Sequence, residues 1–481
     1  MVLVSVKFLE RGIGLISTLI LARLLLPEDF GVIAIAMLVV YFFEALTLIG
    51  GEQYLTRKRQ VDCCDLDTAW TINIIFRSFF LVLLLLLVPS IHDYYAINGL
   101  DTVLYALSSI LILGGVKNPG FSLYNRNFNY RPVFINNLIK KLVGFTITVG
   151  LAVVTESYWS VIIGSIVSMA SLTVGSYILH PYRPRLSLSR AADQWAFSKW
   201  LFLKGLLGYT RAQLDTAVVS ILFPVGQLGK YHLVRDISVM PAIDIIQPAT
   251  VPLLAGFSKI RDEQINLFHK LDLSIFMLNV VIVPLCVYIY FYSELILRVV
   301  LGSAWVDAAG VFANLVFLLY SISVIHVISQ FLISIGKVRD LFVFDLITTI
   351  FIFVCLITIP VASIENFALL RGFLGVVVIV VLVASFKVLK LLKIFSLAIN
   401  LATPLVLSLA AIACAQVLPI QLSQWHIAEL LLSGLVFMLV YLLGAYLFVM
   451  QNFFMTDKSV YLRAILFKLI KRQEPNKNES Q

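Results

Sequence analysis

Apolar runs long enough to cross a bilayer recur along this chain from one end to the other, and they constrain its fold more than anything else. A spanning helix needs roughly 20 apolar residues. Segments 7–26, 31–50, 68–88, 100–116, 134–154, 158–179, 199–222, 227–255, 271–291, 308–335, 341–362, 365–386, 395–417 and 426–449 approach or exceed that length. In lipid only helices or closed barrels satisfy their own backbone groups, and these runs are too long and continuous for barrel strands. With 60% hydrophobic and 13% charged residues, against about a quarter charged in soluble domains, little chain is left for anything else. The expected fold class is an all-α polytopic membrane protein with about 14 transmembrane helices.

The formal charge is +9, from 36 Lys+Arg and 27 Asp+Glu. In a soluble chain that excess would suggest nucleic acid; here its placement argues for membrane orientation and no nucleic-acid partner. Basic residues gather in every second loop: Arg57 and Lys58, Lys117 and Arg126, Arg183 and Arg185, Lys259 and Arg261, Lys337 and Arg339, Lys387 and Lys390, then the tail. The alternate loops carry few, chiefly Arg23, Lys230 and Arg298. The positive-inside rule places both termini in the cytoplasm. The first apolar run is preceded by Lys7 and interrupted by Glu10 and Arg11 with no small-residue cleavage site. It therefore reads as a retained first helix rather than a signal peptide.

The longest basic, Pro-bearing inner loop, His180 to Gln194, divides the chain. The reading is a six-helix bundle at 1–190, a second at 191–393, two additional helices at 394–450 and a cytoplasmic tail at 451–481. Two halves starting on the same side would be parallel repeats. In support, Pro27 to Gly31 follows the first span much as Pro224 to Gly229 follows the seventh. In the tail, Tyr461 to Ile470 alternates basic and apolar residues like an interfacial helix.

Charges inside these spans carry the functional question, because each costs roughly 2.5–3.5 kcal/mol at the centre of a spanning helix. At about 100° per residue, Lys204, Arg211 and Asp215 share one narrow face of the seventh span. Trp70, Asn73 and Arg77 share a face of the third, and Asn137, Lys141 and Thr148 a face of the fifth, with Lys140 adjacent. Arg11, Thr18 and Ala22 align on the first span. The eighth span carries Arg235, Asp236 and Asp244 and should be kinked or broken by Pro241, Pro248 and Pro252. Glu44 stands alone in the second. The bland reading of each is an interhelical ion pair or a snorkelling lysine. The functional reading is a cavity in which Arg11, Arg77, Lys140, Lys141, Lys204, Arg211 and Arg235 outnumber Glu44, Asp215, Asp236 and Asp244. Such a cavity suits an anionic head group, arginine making planar bidentate contacts to phosphate oxygens. On this reading Arg11, Arg77, Lys141, Lys204, Arg211 and Arg235 bind substrate, and Glu44, Asp215, Asp236 and Asp244 are candidates for ion coupling. The chemistry is expected where the first span meets the seventh.

No catalytic residue and no cofactor is expected. Gly229-Lys230 and Gly336-Lys337 lack the glycine spacing and the Ser/Thr of a phosphate-binding loop. No loop can hold a catalytic domain. The six histidines and five cysteines are scattered without ligand spacing, so no metal is expected.

Leu21 to Gly31 (LARLLLPEDFG), the Asp67-Thr68-Ala69-Trp70 start of the third span and the turn around Gly226 to Tyr231 together resemble the Wzx/WzxC-type polysaccharide flippases of the multidrug/oligosaccharidyl-lipid/polysaccharide (MOP) exporter superfamily. The fourteen-span plan extends this resemblance over almost the whole chain. One departure is the short lead before the first helix, where that family has a longer basic amphipathic start. The resemblance implies two six-helix bundles working by alternating access in the bacterial inner membrane. It implies an undecaprenyl-pyrophosphate-linked oligosaccharide as substrate, moved from the inner to the outer leaflet for O-antigen, capsule or exopolysaccharide assembly. It also implies membrane lipids, a polysaccharide polymerase and a chain-length regulator as partners. Two other classes compete. A cation-coupled multidrug exporter of the same superfamily would want an acidic cavity, and a membrane-embedded polymerase or transferase would want a large outer loop with catalytic charges.

Overall fold

In the computed structural model, residues 2–450 are described apart from 49, 59, 128, 261–262, 387–388, 390–393 and 418–424. The side chains of 2–10, 196–197, 199–201, 204, 264–265, 394–397 and 449–450 also lie outside the description. The regular structure of the described residues is all helical, with no strand among them.

Eleven helices are long and apolar enough to span a membrane, twelve if the pair Leu100–Gly115 and Pro119–Arg126, bent by 64°, is one span. The sequence reading expects about fourteen. The difference lies in α1 (Val2–Leu24) and α9 (Ala191–Leu222). Both are helical where spans are expected, but they carry Arg11 and Arg23, and Lys204, Arg211 and Asp215, which dilute their apolar character.

The chain groups into two compact units. The first comprises Met1–Val234 with Val300–Trp305 and Phe353–Pro360; the second comprises Arg235–Val299, Val306–Ile352 and Val361–Gln481. The first unit keeps α9 with the preceding helices.

Within the first unit, α2 (Pro27–Leu46) starts at the Pro-Glu-Asp-Phe-Gly stretch. Pro27 occupies the first helical position, where no N–H is needed, and Asp29 Oδ2 accepts the Leu26 N–H at 3.0 Å, closing the N-terminus with the charge its dipole favours. A short α3 (Gly51–Arg57) follows. α4 (Cys63–Tyr95) is longer than the expected span because Asp62 and Asp65 cap it early, Asp62 N–H donating to Asp65 Oδ2 at 3.0 Å. Next come α5 (Leu100–Gly115), α6 (Ser122–Arg126), α7 (Tyr130–Thr155) and α8 (Trp159–Leu179). α7 packs on α8 and on α1, α8 on α5, α5 on α4 and α2, and α2 on α9. α1 packs chiefly on α7, while α9 packs on α2, where Tyr209 Oη donates to Leu38 O at 2.5 Å.

α10 (Val225–Met240) begins against the start of α2 with backbone on backbone. A Cβ on Gly31 would collide with the Val225 carbonyl, and one on Gly229 with the Pro27 carbonyl. These are the two turns whose sequence likeness suggests an internal repeat, and only glycine permits so close an approach. At the end of α1, buried Trp305 donates its indole N–H to Ala22 O at 2.7 Å and meets the edge of Phe30.

The basic stretch 180–194 lies bonded along the first turns of α4. Tyr182 Oη donates to Asp67 Oδ1 at 2.7 Å, and the Arg185 N–H donates to the same oxygen at 2.7 Å. Thr71 and Thr68 hydroxyls accept from the N–H groups of Ser187 (2.9 Å) and Arg190 (3.3 Å), and Gln194 Nε2 donates to Asp65 O at 2.9 Å. Burial and the Asp67 bond raise the Tyr182 hydroxyl above its ordinary value. The Asp67-Thr68-Ala69-Trp70 signature therefore has a local physical job, supplying acceptors for residues 182–190, which belong to no helix.

The second unit takes the rest of α10, then a π-helical turn, Pro241–Ile246, and α11 (Gln247–Lys259). Pro241, Pro248 and Pro252 thus loosen the expected span into one irregular 35-residue segment, Val225–Lys259, rather than breaking it. α12 (Gln264–Phe291) is followed by short α13 (Ser293–Val300) and α14 (Ala309–Asn314), then α15 (Val316–Ser334), α16 (Val338–Thr358) and α17 (Ile364–Ser385). α18 (Ile394–Val417) and α19 (His426–Met450) close the described chain. α12 packs on α15 and α18. Buried Asn400 donates to Asp272 Oδ1 at 2.7 Å and accepts on its carbonyl from Asn279 at 3.2 Å; Tyr441 Oη donates to Val280 O at 2.8 Å. Interhelical amide and hydroxyl bonds of this kind hold helices together where lipid offers no hydrophobic drive.

Candidate functional site

The first unit encloses a cavity of about 320 Å3, built around Arg77. Trp70, Asn73 and Arg77, three residues sharing a face of α4, all line it. Asn73 Nδ2 donates to the carbonyls of Gly114 and Gly115 at 3.2 and 3.1 Å, which leaves its Oδ1 to accept from Arg77 Nε at 3.1 Å. The guanidinium is therefore aimed by an amide that is itself aimed by α5. It lies flat on Gly114, where a Cβ would collide with Arg77 Nη1.

Arg77 is 8% exposed. Its Nη2 stands 3.7 Å from Glu44 Oε1, an ion pair without a hydrogen bond. Its Nη1 is buried and has no hydrogen-bond partner. Burying a cation costs several kcal/mol unless its donors are matched, so Nη1 is a buried donor placed to take an acceptor from the cavity.

Two further lysines reach the same cavity, Lys117 from the α5–α6 connection and Lys140 from α7. Lys117 Nζ donates to Glu52 Oε1 at 2.8 Å and holds the Glu52 carboxyl below the ordinary carboxylate range. With Glu44 and Glu52 opposite Arg77, Lys117 and Lys140, the cavity is cationic by one charge, less than the whole-sequence count suggests.

Within the first unit, the expected binding residues whose side chains are described fall in different places. Lys141 lines a second cavity, of about 150 Å3, with Ser17, Thr148 and Ser168; adjacent lysines on α7 point about 100° apart. Arg11 is exposed on α1 and lines neither cavity. On α9, Arg211 is half-buried and Asp215 fully buried, and neither lines the Arg77 cavity. The Lys204 side chain lies outside the described residues. Arg235, Asp236 and Asp244 belong to the second unit, where Arg235 Nη1 stands 3.5 Å from Asp236 Oδ1. Glu44 is the one ion-coupling candidate at the Arg77 cavity. Glu52 and Lys117 were not singled out by sequence as site residues; Glu52 lies on short α3 and Lys117 in the α5–α6 connection, 65 residues apart, where no helical period can pair them.

A cavity lined by ion-paired cations inside a multi-helix membrane unit is an arrangement that suits a membrane transport protein. The family model described as "Polysaccharide biosynthesis protein" matches residues 20–310, and the chain belongs to that family. It is 24% identical over 390 residues to "Lipopolysaccharide biosynthesis protein WzxC" of Escherichia coli K12, covering 79% of this chain and 78% of that one. It is 25% identical over 304 residues to "Succinoglycan biosynthesis transport protein ExoT" of Rhizobium meliloti strain 1021, covering 62% and 60%. Among solved structures it shares its fold with "Lipid II flippase MurJ, inward closed conformation", with a TM-score of 0.73 at 15% identity over 94% of this chain and 100% of that one. A multidrug resistance MATE family transporter of the MOP superfamily matches with a TM-score of 0.59 at 12% identity, over 81% and 99%. The relatives and the fold neighbours are named as biosynthesis, transport and flippase proteins.

Proposed function

We propose that this protein moves a polyprenyl-pyrophosphate-linked oligosaccharide from the inner to the outer leaflet of a bacterial inner membrane by alternating access, for surface polysaccharide assembly. The supporting observation is the Arg77 cavity, where a buried guanidinium aimed by Asn73 keeps one nitrogen unpartnered. A pyrophosphate supplies the charge and the in-plane acceptors such a fork lacks. Lys140 adds a second cation for the second phosphate. Each charge carried outward across 100 mV is worth about 2.3 kcal/mol for an anion leaving a negative interior. Two charges therefore drive the step by roughly 4–5 kcal/mol without ATP.

In proteoliposomes, the protein should accelerate leaflet exchange of an undecaprenyl-pyrophosphate-linked sugar, faster when the interior of the starting side is negative. Transport of ethidium with no movement of the lipid-linked sugar would favour the multidrug exporter instead. A polymerase and a chain-length regulator are the proposed downstream partners, consuming the product at the outer face.

The proposed orientation has both termini in the cytoplasm. Cys63 and Cys64 are exposed at the start of α4, behind the basic loop after α2. With the other cysteines replaced by serine, a membrane-impermeant maleimide should label this pair only after the cells are permeabilised. Labelling of intact spheroplasts would reverse the orientation.

A further inference from the structure

Resting on the reading of the Arg77 cavity as a pyrophosphate site, we infer that Glu44 is an internal counterion that the substrate must displace from Arg77. It keeps the site weak enough to let go.

The two cavity carboxylates are held differently. Glu52 is hydrogen-bonded to Lys117 at 2.8 Å, a charge-assisted bond that occupies both partners. Glu44 faces Arg77 at 3.7 Å, beyond hydrogen-bond range, so its attraction is Coulombic and can be given up without breaking a directed bond. The same guanidinium keeps Nη1 unpartnered while Asn73 fixes Nε. The arginine thus cannot swing to meet Glu44 more closely without losing Asn73. Its orientation serves something other than the carboxylate beside it.

Charge gives the consequence. Arg77, Lys117 and Lys140 face Glu44 and Glu52, so the cavity's own charges nearly balance. A pyrophosphate diester brings roughly two negative charges, and in a low-dielectric wall a carboxylate a few ångströms away opposes them strongly. The phosphate takes the Arg77 fork by geometry, and Glu44 opposes its stay by charge. A carrier must bind well enough to load and weakly enough to unload. Removing Glu44's charge should therefore tighten binding and slow turnover together, the reverse of what loss of a binding residue does.

The test uses the purified full-length protein in nanodiscs, titrated with inorganic pyrophosphate and followed by calorimetry, with the fluorescence of Trp70 and Trp195, which line the cavity, as a second readout. Glu44→Gln and Glu44→Ala should each bind about tenfold more tightly than wild type and complement export less well. Glu52→Gln, which frees Lys117 and leaves the Glu44–Arg77 pair in place, serves as the comparison for a general gain of positive charge and should tighten binding less. If wild type binds pyrophosphate and both Glu44 variants bind it equally or more weakly, the counterion role is wrong and the cavity reading stands. If well-folded wild type and Glu44 variants all fail to bind, the cavity reading itself is overturned.

Discussion

Replacing Arg77 with alanine is expected to abolish surface-polysaccharide export while leaving the protein in the membrane. The variant removes the buried guanidinium that Asn73 orients and Gly114 accommodates, and with it at least two donors to a phosphate. Hydrogen bonds to charged groups contribute about 1.5–3 kcal/mol each, so pyrophosphate affinity should fall at least a hundredfold. Arg77→Lys keeps the charge but loses the fork, and should recover only part of the binding. Export and affinity are measured alongside the amount of protein in the membrane fraction. Wild-type export by Arg77→Ala at normal membrane levels would remove the cavity from the mechanism.

The second large effect is expected at the glycine seam between the starts of α2 and α10. Gly31→Ala or Gly229→Ala puts a methyl into the carbonyl of Val225 or Pro27, and no side-chain rotation can relieve a clash with backbone. Overpacking of this kind costs about 1–3 kcal/mol, and the helix starts must separate to accept it. Each variant should melt several degrees lower and lose export by more than tenfold. Gly150→Ala, which meets nothing within 4 Å and improves helix propensity, should behave as wild type. A Gly229→Ala protein with unchanged melting and export would show that the seam is not needed closed.

Much of this fold was legible because a bilayer imposes one length and one backbone solution, so apolar runs alone located the helices. The site was legible where a single helix supplied it: Trp70, Asn73 and Arg77 recur at helical spacing and do line one cavity. It was illegible where it depended on how helices rotate against neighbours. Lys140 and Lys141 are chemically equal in sequence, and the packing of α7 between α1 and α8 sends them to different cavities. Within the first unit, Arg211 and Asp215 share a face of α9 but do not line the Arg77 cavity, which a count of charges per span cannot reveal. Glu52 with Lys117 needed the tertiary fold outright. Periodicity also had nothing to say about why Asp67, Thr68 and Thr71 follow one another, since their partners are main-chain donors more than a hundred residues away.

Those same residues carry a mechanical consequence. The stretch from Tyr182 to Gln194 is fastened to α4 at successive points along its length, like the teeth of a zip. Bonds in such a row share no common breaking event; a pull from the α9 end loads Gln194 first, then Arg190, then Ser187. The longest basic loop of the chain is therefore held by a row of bonds rather than by one anchor, so that losing any single bond leaves Asp67 still fastening its far end.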